Sequence, residues 1–157
     1  MDSDARILIV DDDENIRKVL MAILEDKGYD MEAVGTAREA IKRIEKKFYH
    51  LALIDIRLPD MEGIDLLMKI RDTTPRMRKI IITGYPTLQN AVDAVNRGAD
   101  AYIMKPFDVE RMLSTIKEQL RKQEQEKKYS QDKVAEFIET RVRELDIEKE
   151  TVHRKKQ

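Results

Sequence analysis

Leu51-Ala52-Leu53-Ile54-Asp55, four apolar residues closed by a carboxylate, is the stretch that decides the fold. A strand with one wet face alternates polar and apolar side chains, whereas one that is apolar throughout is covered on both faces, as in the middle of a parallel sheet. Working outward, Ile7-Leu8-Ile9-Val10 and Ile80-Ile81-Ile82 read the same way. With weaker runs beside them, five strands are expected at 6–10, 31–34, 51–54, 79–82 and 101–104. Each is followed by a helix-like stretch. Ile16, Val19, Leu20, Ile23 and Leu24 keep the spacing of a helix with one buried stripe, and Gly28 is placed to end it. Further helices are expected over 36–47, 64–72, 87–97 and from 108 onward, with Thr36, Thr87 and Asp108 as N-caps and Gly98 as a left-handed C-cap. Alternation of this kind gives an α/β domain, a doubly wound five-stranded parallel sheet with helices on both faces. Right-handed crossovers leave strand order 2-1-3-4-5 as the leading topology.

The 157 residues suit one domain with a short appendage. Charged residues make up 39% of the chain against a usual share of roughly 25%, and the excess lies mostly beyond residue 105. Basic and acidic residues nearly balance, 19 to 22 over positions 1–120 and 11 to 9 over 121–157, so neither part is a polybasic arm for nucleic acid. There is no cysteine, no apolar run near the roughly 18 residues of a membrane span, and Met1-Asp2-Ser3-Asp4 is not the basic start of a signal peptide. A cytoplasmic protein without membrane contact is the expectation, with a domain at 1–120 and a charged helical tail or linker at 121–157. The tail reads as an extended C-terminal helix that continues the fifth helix or restarts near Ser130-Gln131-Asp132. Ile138, Leu145 and Val152 fall seven apart with Val134 and Val142 on adjoining positions, a weak heptad seam whose second row Arg141 and Lys149 interrupt. A solvated charged helix is the alternative.

Open parallel sheets bind ligands beyond the carboxyl ends of their strands, where strand order reverses. There the sequence places Asp11-Asp12-Asp13, Asp55, Thr83 and Lys105. Singly, each has an ordinary reading: an acidic cluster caps a helix, an aspartate caps a loop, Thr83-Gly84 is a turn and Lys105 a surface lysine. Together they converge on one crevice. Carboxylates brought so close repel and need a cation or a raised pKa, and a set of hard oxygens with no His or Cys points to Mg2+. With a hydroxyl and an ammonium alongside, the set suits phosphoryl transfer, which asks mainly for in-line positioning and neutralised charge.

The stretches Ile7-Leu8-Ile9-Val10-Asp11-Asp12, Leu53-Ile54-Asp55-Ile56-Arg57-Leu58-Pro59-Asp60-Met61-Glu62-Gly63, Ile82-Thr83-Gly84-Tyr85 and Met104-Lys105-Pro106-Phe107 resemble the receiver domains of response regulators in order and spacing, over residues 5 to about 120. The resemblance implies a flavodoxin-like fold and a phosphoacceptor role in a two-component or phosphorelay system. It implies Asp55 as acceptor, and Asp11, Asp12, Asp55 and the backbone carbonyl of Arg57 as holders of Mg2+. Thr83 and Lys105 would bind phosphoryl oxygens, and the Lys105-Pro106 bond would be cis. Tyr102 would be a switch aromatic that turns inward as Thr83 moves toward the phosphoryl group. The implied partners are a sensor histidine kinase or a phosphotransfer protein, with the downstream partner left open. A homodimer would use the C-terminal helix or the face of the fourth helix, fifth strand and fifth helix. Winged-helix regulators typically carry an arginine in the fifth helix where this chain has Thr115, which argues against their ion-paired dimer.

Such a domain assists its own phosphorylation and dephosphorylation but is not an enzyme on a separate metabolite. The chain reads as a stand-alone receiver with a protein-binding or dimerising tail, and two other readings stand beside it: a receiver and linker from a larger regulator with an effector domain, and a Mg2+-dependent phosphohydrolase with an aspartyl nucleophile. Arg57 and Tyr85, two residues beyond Asp55 and Thr83, are expected to flank the acceptor and limit water. His50 and His153 read as structural. Met61, Met68, Met104 and Met112 read as core fillers or as lining of the switch surface.

Overall fold

A computed structural model describes the backbone of residues 4–156 and the side chains of 4–152. In chain order the elements are β1 (Arg6–Val10), α1 (Glu14–Asp26), β2 (Asp30–Val34), α2 (Ala37–Lys46), β3 (Leu51–Asp55), α3 (Gly63–Lys69), β4 (Arg78–Thr83), α4 (Leu88–Asn96), β5 (Ala101–Met104) and α5 (Val109–Lys156). The strands form one parallel sheet in the order β2-β1-β3-β4-β5, as the sequence implies.

Successive strand residues point to opposite faces, and both faces are covered. Leu8, Val10, Ala52, Ile54 and Ile81 pack with Ala40 of α2, Leu66 of α3 and Ala94 of α4. Ile7, Ile9, Leu53 and Ile80 pack on the other side with Leu20 and Leu24 of α1 and Met112, Ile116 and Leu120 of α5. Every residue of β3 and β4 is buried, and each fully buried Leu or Ile contributes about 1.5–3 kcal/mol. That burial on two sides is why these runs carry no polar alternation.

The expected caps are in place. Thr36 Oγ1 accepts from the Glu39 N–H, Thr87 Oγ1 from that of Asn90 and Asp108 Oδ1 from that of Arg111. Gly28 and Gly98 adopt φ of 85° and 96° just past α1 and α4. The third helix is shorter than its 64–72 pattern, because Ile70 turns extended and sinks its side chain into the core. Lys105-Pro106 is cis, and so is Thr74-Pro75.

The amino-terminal edge of the sheet is tied by polar groups. Asp100 accepts from both terminal nitrogens of Arg76 at 2.6 and 3.0 Å, from Arg78 at 3.2 Å and from the Lys79 N–H at 2.9 Å. Burial pushes the Asp100 carboxyl up, but the Arg76 guanidinium and its companions outweigh burial and hold it below the usual range. Gln123 Nε2 donates to the carbonyls of His50 and Arg76, and His50 Nδ1 accepts from the Arg6 N–H. His50 is thus a structural residue. The side chain of His153 lies outside the described residues.

The chain divides into two units, one ending at Gln123 and one beginning at Glu124. In the second, α5 runs without interruption, since no Gly or Pro breaks it near residue 130. Here Val134, Phe137, Ile138, Val142, Leu145 and Val152 are exposed. Ion pairs within the helix join Glu139 to Arg143 and Arg141 to Glu144. Among the described residues no helix is long and apolar enough to cross a membrane.

Candidate functional site

Strand register brings the polar residues together. Val10 of β1 pairs with Ile54 of β3, so Asp11 emerges beside Asp55, while Thr83 ends β4 on the other side of Asp55. Ligand oxygens of Asp11, Asp12 and Asp55 all lie within 4.8 Å of one another. Asp11, Asp55 and Thr83 are buried and Asp12 is exposed. Lys105, just past β5, places Nζ 2.7 Å from Asp11 Oδ2 and 3.5 Å from Asp55 Oδ2. Of the six residues singled out at the strand ends, Asp11, Asp12, Asp55, Thr83 and Lys105 therefore share one crevice.

The acidic triplet divides its work. Asp13 is the N-cap of α1, accepting from the N–H groups of Asn15 and Ile16 at 2.8 and 3.3 Å. The capping alternative thus holds for Asp13 alone, and Asp11 and Asp12 remain for the crevice. Asp11 is pinned on four sides. Its N–H donates to Val34 O, its carbonyl accepts from Arg17 Nη1 at 2.6 Å, and its carboxylate accepts from the Asp13 N–H and from Lys105.

Burial pushes the Asp55 carboxyl up and the nearby Asp11 charge adds to this, while Lys105 and the Arg57 N–H oppose it; the net direction is upward. Burial works against the charge on Lys105, but its hydrogen bond to Asp11 and the two carboxylates prevail and raise its pKa. The lysine is held as an ammonium between two acids. Three carboxylates facing one ammonium leave an excess of negative charge, and all the donors are hard oxygens, so the set fits a divalent cation such as Mg2+.

Thr83 Oγ1 accepts from the Tyr85 N–H at 3.0 Å, which leaves the hydroxyl proton free to be donated elsewhere. Tyr102 packs its ring against the cluster that includes Ala94 and Leu67, with its hydroxyl enclosed. Burial raises that phenol's pKa, against a smaller opposing effect of the Thr87 backbone. The Arg57 guanidinium stacks 3.7 Å over the Tyr85 ring, so these two flanking residues hold each other. Met112 is in the core on the α1 and α5 face of the sheet and Met61 packs against the core on the opposite face, whereas Met68 and Met104 are exposed.

Three residues that frame the site were given no role by the sequence, although Asp60 and Gly63 lie inside the motif that carries Asp55. Gly63 lies against the Asp55 carbonyl, Asp60 reaches the start of α2, and Arg17 holds Asp11. Arg17 has a sequence signal, since a long donor one turn beyond a cap can reach back to the strand end. The other two contacts cross between segments and leave none.

The family model described as the response regulator receiver domain matches residues 7–117. The chain belongs to that family. This receiver is 32% identical over 114 residues to the transcriptional regulatory protein ZraR of Escherichia coli K12, an alignment covering 73% of this chain and 26% of that protein. It spans about a quarter of the length of the curated relatives it matches. Among solved structures, it is similar to a CheY-like receiver domain protein from Methanospirillum hungatei, at 51% identity and a TM-score of 0.75, covering 78% of this chain and 98% of the other. It is also similar to the beryllofluoride-activated NtrC4 receiver domain dimer, at 39% identity and a TM-score of 0.71, covering 75% and 98%. Receivers are signalling domains of two-component response regulators, and with membership shown the phosphohydrolase alternative falls.

Proposed function

We propose that this receiver takes a phosphoryl group on Asp55 from the phosphohistidine of a sensor kinase or phosphotransfer protein. The observation that carries the assignment is the Lys105 ammonium held between Asp11 and Asp55, with Thr83 buried at the adjoining strand end. An Asp55 carboxylate oxygen forms the new P–O bond as the P–N bond breaks, and the electron pair of that bond stays on the imidazole. Lys105 and the Thr83 hydroxyl donate to the phosphoryl oxygens. Asp11, Asp12, Asp55 and the carbonyl of Arg57 are the groups that would hold Mg2+, which when bound supplies charge neutralisation for those oxygens. Phosphorylation then draws Thr83 inward and shifts the balance between positions of Tyr102, changing the face built by α4, β5 and α5. Intact-mass measurement after treatment with acetyl phosphate and Mg2+, on the wild-type protein and on Asp55→Asn, tests the assignment.

The stacked pair of Arg57 and Tyr85 limits the approach of hydrolytic water to the aspartyl phosphate. Arg57→Asn is expected to dephosphorylate faster than wild type when phosphate loss is followed by mass. An equal rate removes this role.

Residues 1–120 serve as the receiver and 121–157 as a linker or dimerising helix. The full-length relatives are transcriptional regulators, which favours a larger regulator with an effector domain over a stand-alone receiver. A cytoplasmic location follows from the same pathway. In the tail, heptad positions with Ile138, Leu145 and Val152 at a place Glu144 at g and Lys149 at e, the opposite charges that pair across a parallel dimer. Arg141 and Glu148 then occupy d positions and weaken it. Sedimentation is expected to show a weak dimer that is lost when 125–157 are removed. A monomer under every condition, with and without phosphorylation, overturns this part.

A further inference from the structure

The loop that follows Asp55 is closed at its base and tied at its tip. At the base, the Gly63 N–H donates to Ile56 O at 2.6 Å, and Arg57 and Glu62 form an antiparallel bridge. At the tip, Asp60 leaves its own segment altogether. Its Oδ1 accepts from the Ala37 N–H and its Oδ2 from the Arg38 N–H, both at 2.9 Å and across 23 and 22 residues of sequence. The first N–H groups of a helix lack partners within the helix and lie at its positive end, so a carboxylate there is held by two hydrogen bonds and by the helix dipole. Thr36 takes the next N–H, that of Glu39, so the start of α2 is capped jointly by its own Thr36 and by an acid from the acceptor loop. The Ala37 and Arg38 amides keep the Asp60 carboxyl below its ordinary range, which means that it is held as the anion the helix end favours. Leu58 and Met61, on either side of Pro59 and Asp60, pack onto the core cluster that contains Val34 and Ala37.

We infer that Asp60 is a positioning residue for the phosphorylation site, a strut that fixes the loop carrying Arg57 to the amino terminus of α2. Through it the Arg57 carbonyl and the Asp55 carboxylate keep their relative places before any cation or phosphoryl group arrives. A loop free at its tip would have to be ordered on binding, and the loss of that order would be felt as weaker binding. The inference rests on the reading of Asp55 and Arg57 as holders of Mg2+, and its test separates the two.

The measurement is calorimetric Mg2+ binding to the full chain, together with thermal unfolding, for wild type, Asp60→Ala, Asp60→Asn and Thr36→Ala. Thr36→Ala removes a cap from the same helix end but leaves the strut, so it lowers stability without touching the loop. The expected result is an Mg2+ affinity about tenfold lower in Asp60→Ala, the scale seen when outer partners of a metal site are lost. Asp60→Asn, which keeps one acceptor and no charge, falls between Asp60→Ala and wild type, and Thr36→Ala binds as wild type does. If either Asp60 variant is folded and binds Mg2+ like wild type, or if Thr36→Ala loses as much affinity as Asp60→Ala, the strut is overturned. A wild-type protein that binds no Mg2+ overturns the underlying reading and the strut with it.

Discussion

Asp55→Asn protein is expected to gain no phosphoryl mass from acetyl phosphate and Mg2+ under conditions that label the wild type. Asparagine has the shape of aspartate but offers an amide nitrogen and a weakly nucleophilic carbonyl where the carboxylate oxygen stood. The other members of the crevice do not replace it. Asp11 is already hydrogen-bonded at its carboxylate by Lys105 and the Asp13 N–H and, at its backbone, held by Arg17 and Val34. Asp12 is exposed and stands beyond the end of β1 rather than at the end of the central strand β3. The fold should survive the change. Burial and the Asp11 charge both raise the Asp55 pKa, so the ionised acid is held at some cost, and a neutral isostere removes the repulsion between the two carboxylates. Thermal unfolding near or above the wild-type temperature together with an absent label is the expected pair of results. Label persisting in the variant at a comparable level would remove Asp55 as the acceptor.

How much of this was legible in the sequence depends on how far apart the cooperating residues lie. The central strands were plain because a segment buried on both faces has to be apolar, and the runs 7–10, 51–54 and 80–82 inside β1, β3 and β4 are. The crevice was legible because parallel strands put their carboxyl ends on one edge, so Asp55, Thr83 and Lys105 had to meet. Inside the triplet the sequence could not assign roles. Asp11, Asp12 and Asp13 differ by single positions, and which of them caps α1 depends on where the chain leaves β1. The end of α3 was misplaced because Ile70 satisfies a helical pattern equally well, and only the core beneath it shows that it is used in an extended form. Asp60 and Gly63 fall inside the quoted motif but their roles were not legible, since an acid in a loop and a glycine beside a helix start are ordinary features until their partners at Ala37 and Asp55 are known. The stacking of Arg57 on Tyr85 was not legible, because it depends on two side-chain directions that no spacing fixes.

Gly63→Ala is expected to damage both the fold and the site. A Cβ at this position would lie 2.1 Å from the Asp55 carbonyl oxygen, 2.9 Å from the carbonyl carbon and 3.1 Å from Ile54 Cγ2. The two nearest atoms are backbone at the end of a buried strand, so no side-chain rotation can relieve the contact. Either α3 backs away from β3, opening the packing around Ile64 and Leu66, or the end of β3 shifts and takes the acceptor with it. Overpacking of this kind costs about 1–3 kcal/mol, which for a chain of this size lowers the unfolding temperature by about 2–12 °C. The comparison that isolates the site is Gly98→Ala. Gly98 has φ of 96° with nothing within 4 Å of an added Cβ, so alanine there meets only the strain of a left-handed backbone, about 1–2 kcal/mol, at the far end of α4. Both variants should melt earlier than wild type, but only Gly63→Ala should take up the phosphoryl group more slowly at a temperature where both are folded. Equal labelling rates in the two would show that β3 yields without moving Asp55. A Gly63→Ala protein that melts with wild type would show that the close approach of α3 to the acceptor strand is not required at all.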